Sequence, residues 1–315
     1  MFCFLSVMTT TKGIERLLPP GIRTDRPLLC VEINPPRGCD VDAVVKRYES
    51  VRGIDFLNIT DSALAKMKLS SLAFASIIKH RLGIEPVVNV SCRDRNVIAL
   101  QSDLLGAWAL GVRSIVALTG DAVTVGDLPE AKGVFEVNSV GLLNLIATLN
   151  GGRDLAGNEL KGYPAYTPGV VVNPNVKNPN AEIKRLLRKK EAGAVYALSQ
   201  PVFDPEQARA FFEAASSVDI DLFVGLLPFK SVQSFEGIEK VPGIKIPDAV
   251  AQKVRAVAPE KVGETSLQVA MEVAERVKPF VRGFHVVSGG SPLLALDLCQ
   301  RLSDWIESSL VKEVV

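Results

Sequence analysis

The residues best placed to do chemistry are polar side chains that interrupt or end short apolar runs. Glu32 stands inside Leu28-Leu-Cys-Val-Glu-Ile33 and is followed by Asn34-Pro-Pro-Arg37. An ionised carboxylate in such a run is costly to bury unless paired, so Glu32 either faces a polar cavity or holds its proton more tightly than usual. Both outcomes suit an acid catalyst; the alternative is a structural carboxylate satisfied by Arg37 or by backbone amides. Asp121 closes Thr119-Gly120-Asp121. It reads equally as a catalytic or cofactor-contacting acid and as a turn or capping residue. Gln200 ends another apolar run. Its amide cannot exchange protons near neutral pH but donates and accepts at once, as reading a heterocycle edge requires; a satisfied strand-end amide is the plainer alternative.

Other polar residues fall at equivalent places: Asn58 and Thr60, then Asn89, Ser91 and Cys92, then Asn173, and finally Ser288. Lys184-Arg-Leu-Leu-Arg-Lys-Lys190 could grip a phosphate or form a solvated helix face. Ser288-Gly-Gly-Ser291 invites comparison with the phosphate cups that barrels build after their last strands. His285 reads as a satisfied core histidine and His80 as a solvent-facing one. Trp108 and Trp305 read as packing residues.

Positioning these groups requires strands that end together. From residue 28 onward, strand-length apolar runs alternate with helix-length amphipathic stretches, the pattern of parallel strands joined by crossover helices. Runs at 28–33, 55–59, 86–90, 114–118, 169–172, 195–199, 222–226 and 283–287 count eight strands. Helices are expected at 41–51, 62–82, 95–111, 138–149, 179–192, 205–217, 231–239, 247–257, 262–279 and 291–309. In the fifth, Ile183, Leu186 and Leu187 form an apolar stripe. Gly53, Gly83, Gly111 and Gly193 recur where C-terminal caps would stand. Eight units favour a closed (β/α)8 TIM barrel over an open doubly wound sheet. Residues 28–315 are read as one catalytic barrel and 1–27 as an N-terminal extension, whose apolar Met1–Met8 is a fraying or docking end or precedes a start at Met8. The Gly-rich, polar stretch 150–168 reads as a surface excursion, with a lid as one role.

Composition narrows the partners. Lysine plus arginine number 36 against 35 aspartate plus glutamate, and a net charge of +1 leaves no footprint for nucleic acid or an anionic membrane. No apolar run reaches the roughly 18 residues that span a bilayer. Five scattered cysteines (Cys3, Cys30, Cys39, Cys92, Cys299) without a Cys-x-x-Cys fit reduced thiols in a cytoplasmic protein. Two histidines rule out a histidine-rich metal cluster.

The ordered set Val31-Glu-Ile-Asn-Pro-Pro36, Asn89-Val-Ser-Cys92, Ala117-Leu-Thr-Gly-Asp121, Lys189-Lys-Glu-Ala-Gly-Ala194, Ser199-Gln-Pro-Val-Phe-Asp204 and Gly225-Leu-Leu-Pro228 resembles methylenetetrahydrofolate reductase. The likeness is to the bacterial catalytic barrel without a regulatory domain and runs over about residues 28–300. It implies a (β/α)8 barrel with a non-covalent flavin, FAD or alternatively FMN, and NADH or NADPH as hydride donor. It also implies reduction of 5,10-methylenetetrahydrofolate to 5-methyltetrahydrofolate, in one-carbon metabolism and methionine biosynthesis. On this resemblance Glu32 protonates folate N10, Asp121 tunes the flavin and steadies developing positive charge, and Gln200 hydrogen-bonds the pterin. Thr60, Asn89, Thr119, Gly120 and Asp121 then surround the flavin ring and ribityl chain, with Glu182, Arg185, Arg188 and Lys189 toward the ribose and diphosphate. The chain departs from better-known bacterial members at Asn89, Thr119, Asn173 and Lys177, where they carry histidine, arginine, tyrosine and histidine. Thr119-Gly-Asp121 with Cys92-Arg-Asp-Arg-Asn96 is similar to members found beside a metal-containing partner subunit in acetogens. The electron donor therefore stays open between a nicotinamide and such a partner, as does a homo-oligomeric state. Two other readings stand beside this one: a flavin- or folate-binding subunit of a larger complex, and a flavin-free methyl-transfer barrel.

Overall fold

The computed structural model describes residues 13–18, 24–49, 51–289 and 291–313. Met1–Met8, and Gly290 of the Ser288–Ser291 element, lie outside the described residues. Eight parallel strands follow one another around a closed barrel: β1 (Leu28–Ile33), β2 (Phe56–Ile59), β3 (Glu85–Ser91), β4 (Ser114–Leu118), β5 (Thr167–Val172), β6 (Tyr196–Pro201), β7 (Asp221–Leu226) and β8 (Gly283–Val286). The last strand pairs with the first, Leu28 opposite Gly283 through Val31 opposite Val286, so the expected (β/α)8 barrel is formed and the open-sheet alternative is not.

Helices α1 (Asp42–Lys46), α2 (Ser71–Leu82), α3 (Val97–Ala109), α4 (Ser139–Asn150), α5 (Pro179–Glu191), α6 (Pro205–Ala215), α7 (Val232–Glu239), α8 (Asp248–Ala256), α9 (Val262–Val277) and α10 (Pro292–Glu313) connect the strands and follow the last. Ser70, Asn96, Asn138, Asn178, Asp204 and Ser231 accept bonds from the first-turn amides of α2 to α7, so loops leaving the strand ends terminate in side-chain caps. No helix among the described residues is long and apolar enough to cross a membrane.

Alternation along each strand separates two cores. Leu29, Val31 and Ile33 pack outward under the helices. Leu28, Cys30, Phe56, Val87, Val116, Tyr196, Leu198 and Phe223 fill the interior, closed from below by Ile14, whose amide donates to Asp221 Oδ2 at 2.9 Å. Tyr196 crosses this interior to bond Ser114 Oγ at 2.7 Å. A Cβ at residue 169 would stand 2.2 Å from the tyrosine Cζ, so only glycine fits there. The lower barrel is thus closely packed, and the polar groups of inward parity at the strand ends (Glu32, Asn58, Thr60, Asn89) lie above it.

Four local expectations change. The first helix spans five residues, because 47–49 turn instead of continuing it. The second starts at Ser71, not 62, since Ser62, Leu64 and Ala65 hold φ of 44°, 55° and 52°, incompatible with a right-handed helix. Leu187 is exposed, leaving Leu186 and partly buried Ile183 as the apolar contacts of α5. The 150–168 excursion is no lid over the mouth: it hooks on itself through an Arg153–Glu159 bridge and ties to the outer layer, Leu155 N donating to Gln101 Oε1 of α3.

Candidate active site

Glu32 emerges at the carboxyl end of β1, partly buried on the barrel floor. Three donors converge on its Oε1: Ser288 Oγ at 2.8 Å, Ser288 N at 3.3 Å and Asn34 Nδ2 at 3.2 Å. Asn34 Nδ2 also reaches Ser288 Oγ (2.9 Å), and its Oδ1 accepts from Thr60 Oγ1 (2.8 Å), so β1, β2 and β8 are laced together around one carboxyl group. Arg37, a conceivable counter-charge, pairs instead with Asp127. Burial raises the Glu32 pKa above the ordinary carboxylate range, and the Ser288 and Asn34 bonds offset only part of that. Among the described residues no hydrogen bond ends on Oε2, so that oxygen is the one open to a proton.

Neighbouring loops are held by a second network. Asp61 Oδ2 accepts from Ser91 N (2.9 Å) and Arg95 Nη1 (2.7 Å), and its Oδ1 accepts from Ser71 Oγ (3.2 Å). Arg93, almost fully buried, donates from Nη2 to Ser62 O at 3.2 Å. The left-handed residues 62, 64 and 65 are therefore clamped, as strained backbone beside a functional site must be. Asp121 completes the clamp: it is exposed, and its Oδ2 accepts from Leu64 N at 2.8 Å. Gly120 has φ +96°, and a Cβ there would stand 2.2 Å from Ser91 Oγ.

Thr119 Oγ1 accepts from Ser139 N at 3.1 Å and, with Phe135, Glu136, Val137, Asn138 and Gly141, lines a cleft of about 380 Å³ at the start of α4. Asn89 Oδ1 accepts from Asn58 Nδ2 at 2.8 Å. Gln200 sits at an irregularity where the β6–β7 register shifts between Leu198 and Pro201. Such a bulge re-aims a side chain. The Gln200 amide is half-buried, and among the described residues no hydrogen bond engages it.

On α5, buried Glu182 accepts from Asn173 N (3.0 Å) and from Arg185 Nη1 (2.7 Å), fixing the loop after β5. Lys189 lies partly buried with Nζ 2.6 Å from Val171 O; burial lowers its pKa, partly offset by Glu182. Arg185 and Arg188 are exposed. The structure thus joins Glu32 and Thr60 directly through Asn34, gives Asp121 a loop-clamping bond, and sets the α5 group apart beyond β5. Asn34 and Ser288 escaped the sequence-level choice of site residues. Their signal is topological: closure of the ring brings the end of β8 against β1.

A closed parallel barrel whose first strand ends in a carboxyl group with a raised pKa, ringed by clamped loops, is the layout of a barrel enzyme with its site at the strand ends. A sequence model of the methylenetetrahydrofolate reductase family matches residues 20–301, and the chain belongs to that family. The 5,10-methylenetetrahydrofolate reductase of Pectobacterium carotovorum is 24% identical over 280 residues, 86% of this chain and 88% of the relative. That of Escherichia coli is 26% identical over 229 residues, covering 70% and 71%. Among solved structures, an uncharacterised Clostridium thermocellum protein that binds two copies of 5-methyl-5,6,7,8-tetrahydrofolic acid has the same fold, with a TM-score of 0.63 at 15% identity over 88% of this chain and 96% of that one.

Proposed function

We propose that this chain reduces 5,10-methylenetetrahydrofolate to 5-methyltetrahydrofolate, with Glu32 as the acid. Support comes from the family, from the folate bound by the structural neighbour, and above all from the Glu32 carboxyl group. The substrate's five-membered ring opens when N10 is protonated, and N10 is a weak base, so its acid must keep a proton near neutral pH. Burial shifts Glu32 in that direction, while Ser288 and Asn34 hold Oε1 and fix the orientation of Oε2. The unengaged amide of Gln200 is suited to the pterin edge, and Asp121 supplies negative charge near the cation that ring opening creates.

The donor set also fits a flavin. The cleft beside Thr119 and α4 offers a concave wall, and the Lys189 ammonium spends one donor on Val171 O, leaving two for a diphosphate. Thr60, Asn89, Thr119 and Gly120 would border the ring and ribityl chain, with Glu182 setting the loop after β5 and Arg185, Arg188 and Lys189 facing the phosphates. When bound, the flavin supplies the hydride. FAD is favoured over FMN because the basic residues of α5 follow β5, across the eight-strand ring from β1 and Glu32. The flavin's reducing equivalents would come as a hydride from NADH or NADPH, or as electrons from a protein partner.

The purified protein is expected to be yellow, to bleach under an anaerobic reductant and to regain its colour on adding methylenetetrahydrofolate. A colourless protein that cannot be reconstituted with FAD or FMN would overturn this reading. A protein that binds flavin but never passes electrons to the folate would instead be a binding subunit.

A further inference from the structure

His285 is an unsatisfied residue in the middle of the barrel. It lies on β8 and is 6% exposed, and neither Nδ1 nor Nε2 has a hydrogen-bond partner among the described residues. Its direction follows from its strand. A Cβ on Gly283 would lie 2.7 Å from the Phe223 ring, which belongs to the interior cluster, so residue 283 faces inward, and residue 285, two further on, faces inward too. Phe284 and Val286 belong to the outer core. In register, His285 stands beside Cys30 on β1 and Gly225 on β7. Glu32 is the next inward residue above Cys30. Strands about 4.8 Å apart rising about 3.3 Å per residue place the Glu32 and His285 Cα atoms roughly 8 Å apart. Two inward side chains and one water span that gap.

A buried imidazole left without any partner is expensive, and internal water is the usual remedy. Burial pushes the His285 pKa down to about 4, so the ring is neutral at working pH, one nitrogen a donor and the other an acceptor. Around the pair, Cys30, Tyr48 and Cys299 are all pushed above their usual ranges by burial and stay neutral. Asp55, which also acts on Cys30, is paired with Arg26. The flanking strands add Asn58 on β2 and Gly225 on β7, neither of which titrates. Glu32 and His285 are left as the groups whose protonation can couple.

We propose that His285 is a positioning residue for the Glu32 proton: its acceptor nitrogen anchors an internal water beneath the carboxyl group, and that water accepts a hydrogen bond from the hydroxyl on Oε2. The proton is then held on the one carboxyl oxygen that Ser288 and Asn34 do not occupy. No bond is made or broken in this role; it favours the acid form and aims it. The consequence for catalysis rests on the reading of Glu32 as the acid for N10, but the coupling itself does not.

The test is the infrared carbonyl stretch of the Glu32 carboxylic acid, assigned by its loss in Glu32→Gln and followed against pH in purified protein without folate. Replacing the acceptor by a ring of similar size, His285→Phe, is expected to lower the Glu32 midpoint by about one pH unit, because only the acid form donates to the water. His285→Asn or His285→Gln, which restores an acceptor near one ring nitrogen, is expected to return it. An unchanged midpoint in His285→Phe, or one that rises through added desolvation, overturns the proposal. Should the phenylalanine variant not fold, nitrogen-15 spectra of the wild-type rings decide, since only His80 and His285 contribute. One His285 resonance must move in Glu32→Gln, and its failure to move overturns the coupling. Coupling without folate turnover would fault the proposed function, and turnover without coupling would fault this inference.

Discussion

At the residue scale, the proposed chemistry rests on one carboxyl group, and its environment can be read from stability as well as from rate. The folded protein holds the Glu32 proton more tightly than the unfolded chain does. Between the ordinary carboxylate range and the raised folded value, the native state therefore binds more protons, and stability falls as pH rises through that window. Glu32→Gln keeps an acceptor for Ser288 and Asn34 but cannot ionise. Thermal melts should accordingly show the variant gaining stability over wild type at pH 8 and losing that gain by pH 4; a gain that grows toward acid would contradict the assigned shift. Glu32 itself was legible from sequence because charge inside an apolar strand needs a reason. Ser288 was visible as a strand-end serine and as part of a Gly/Ser element but not as a partner of Glu32, since nothing local tells it that a carboxyl group 256 positions earlier will accept its bond. His285 was expected to be a satisfied core histidine; it is core, but its ring nitrogens have no partner among the described residues, a fact that depends on every neighbour at once.

At the element scale, the strands were legible and the loops were not. Apolar run length places β1 and β4 at their observed bounds, because each strand is buried on both faces and so reads as a continuous apolar run. The start of α2 was misplaced, since residues 62–70 have helix-compatible composition while three residues adopt left-handed backbone under tertiary restraint by Arg93 and Asp121. Gly120 belongs to the same restraint, combining a positive φ with direct contact against β3. Gly120→Ala is expected to cost about 1–3 kcal/mol in chemical denaturation. Adding Ser91→Ala should recover part of that by removing the contact with Oγ, though not the one with Arg93 Cβ at 2.9 Å or the backbone strain. Full tolerance of the single substitution would show that this corner is loosely held. The β6 irregularity before Gln200 had no sequence signal either, because a bulge is a relation between two strands.

At the scale of the whole molecule, counting units sufficed for the architecture: eight βα repeats close because β8 finds β1, and closure assembles Glu32, Asn34, Thr60 and Ser288 from three strands. A packed lower barrel under a polar upper layer gives those groups a rigid floor, while the clamped loops of β2, β3 and β4 form one wall of the mouth. Two separable half-reactions are expected on this scaffold, with Glu32 needed in only one. The most direct measurement is anaerobic mixing of chemically reduced flavoprotein with methylenetetrahydrofolate or with a quinone, for wild type and Glu32→Gln side by side. Both proteins should be reoxidised by the quinone at similar rates, whereas the variant should be at least about 100-fold slower with the folate, the usual loss on removing a general acid. Folate-dependent reoxidation of Glu32→Gln at the wild-type rate would contradict the assignment of the acid, and with it the central claim.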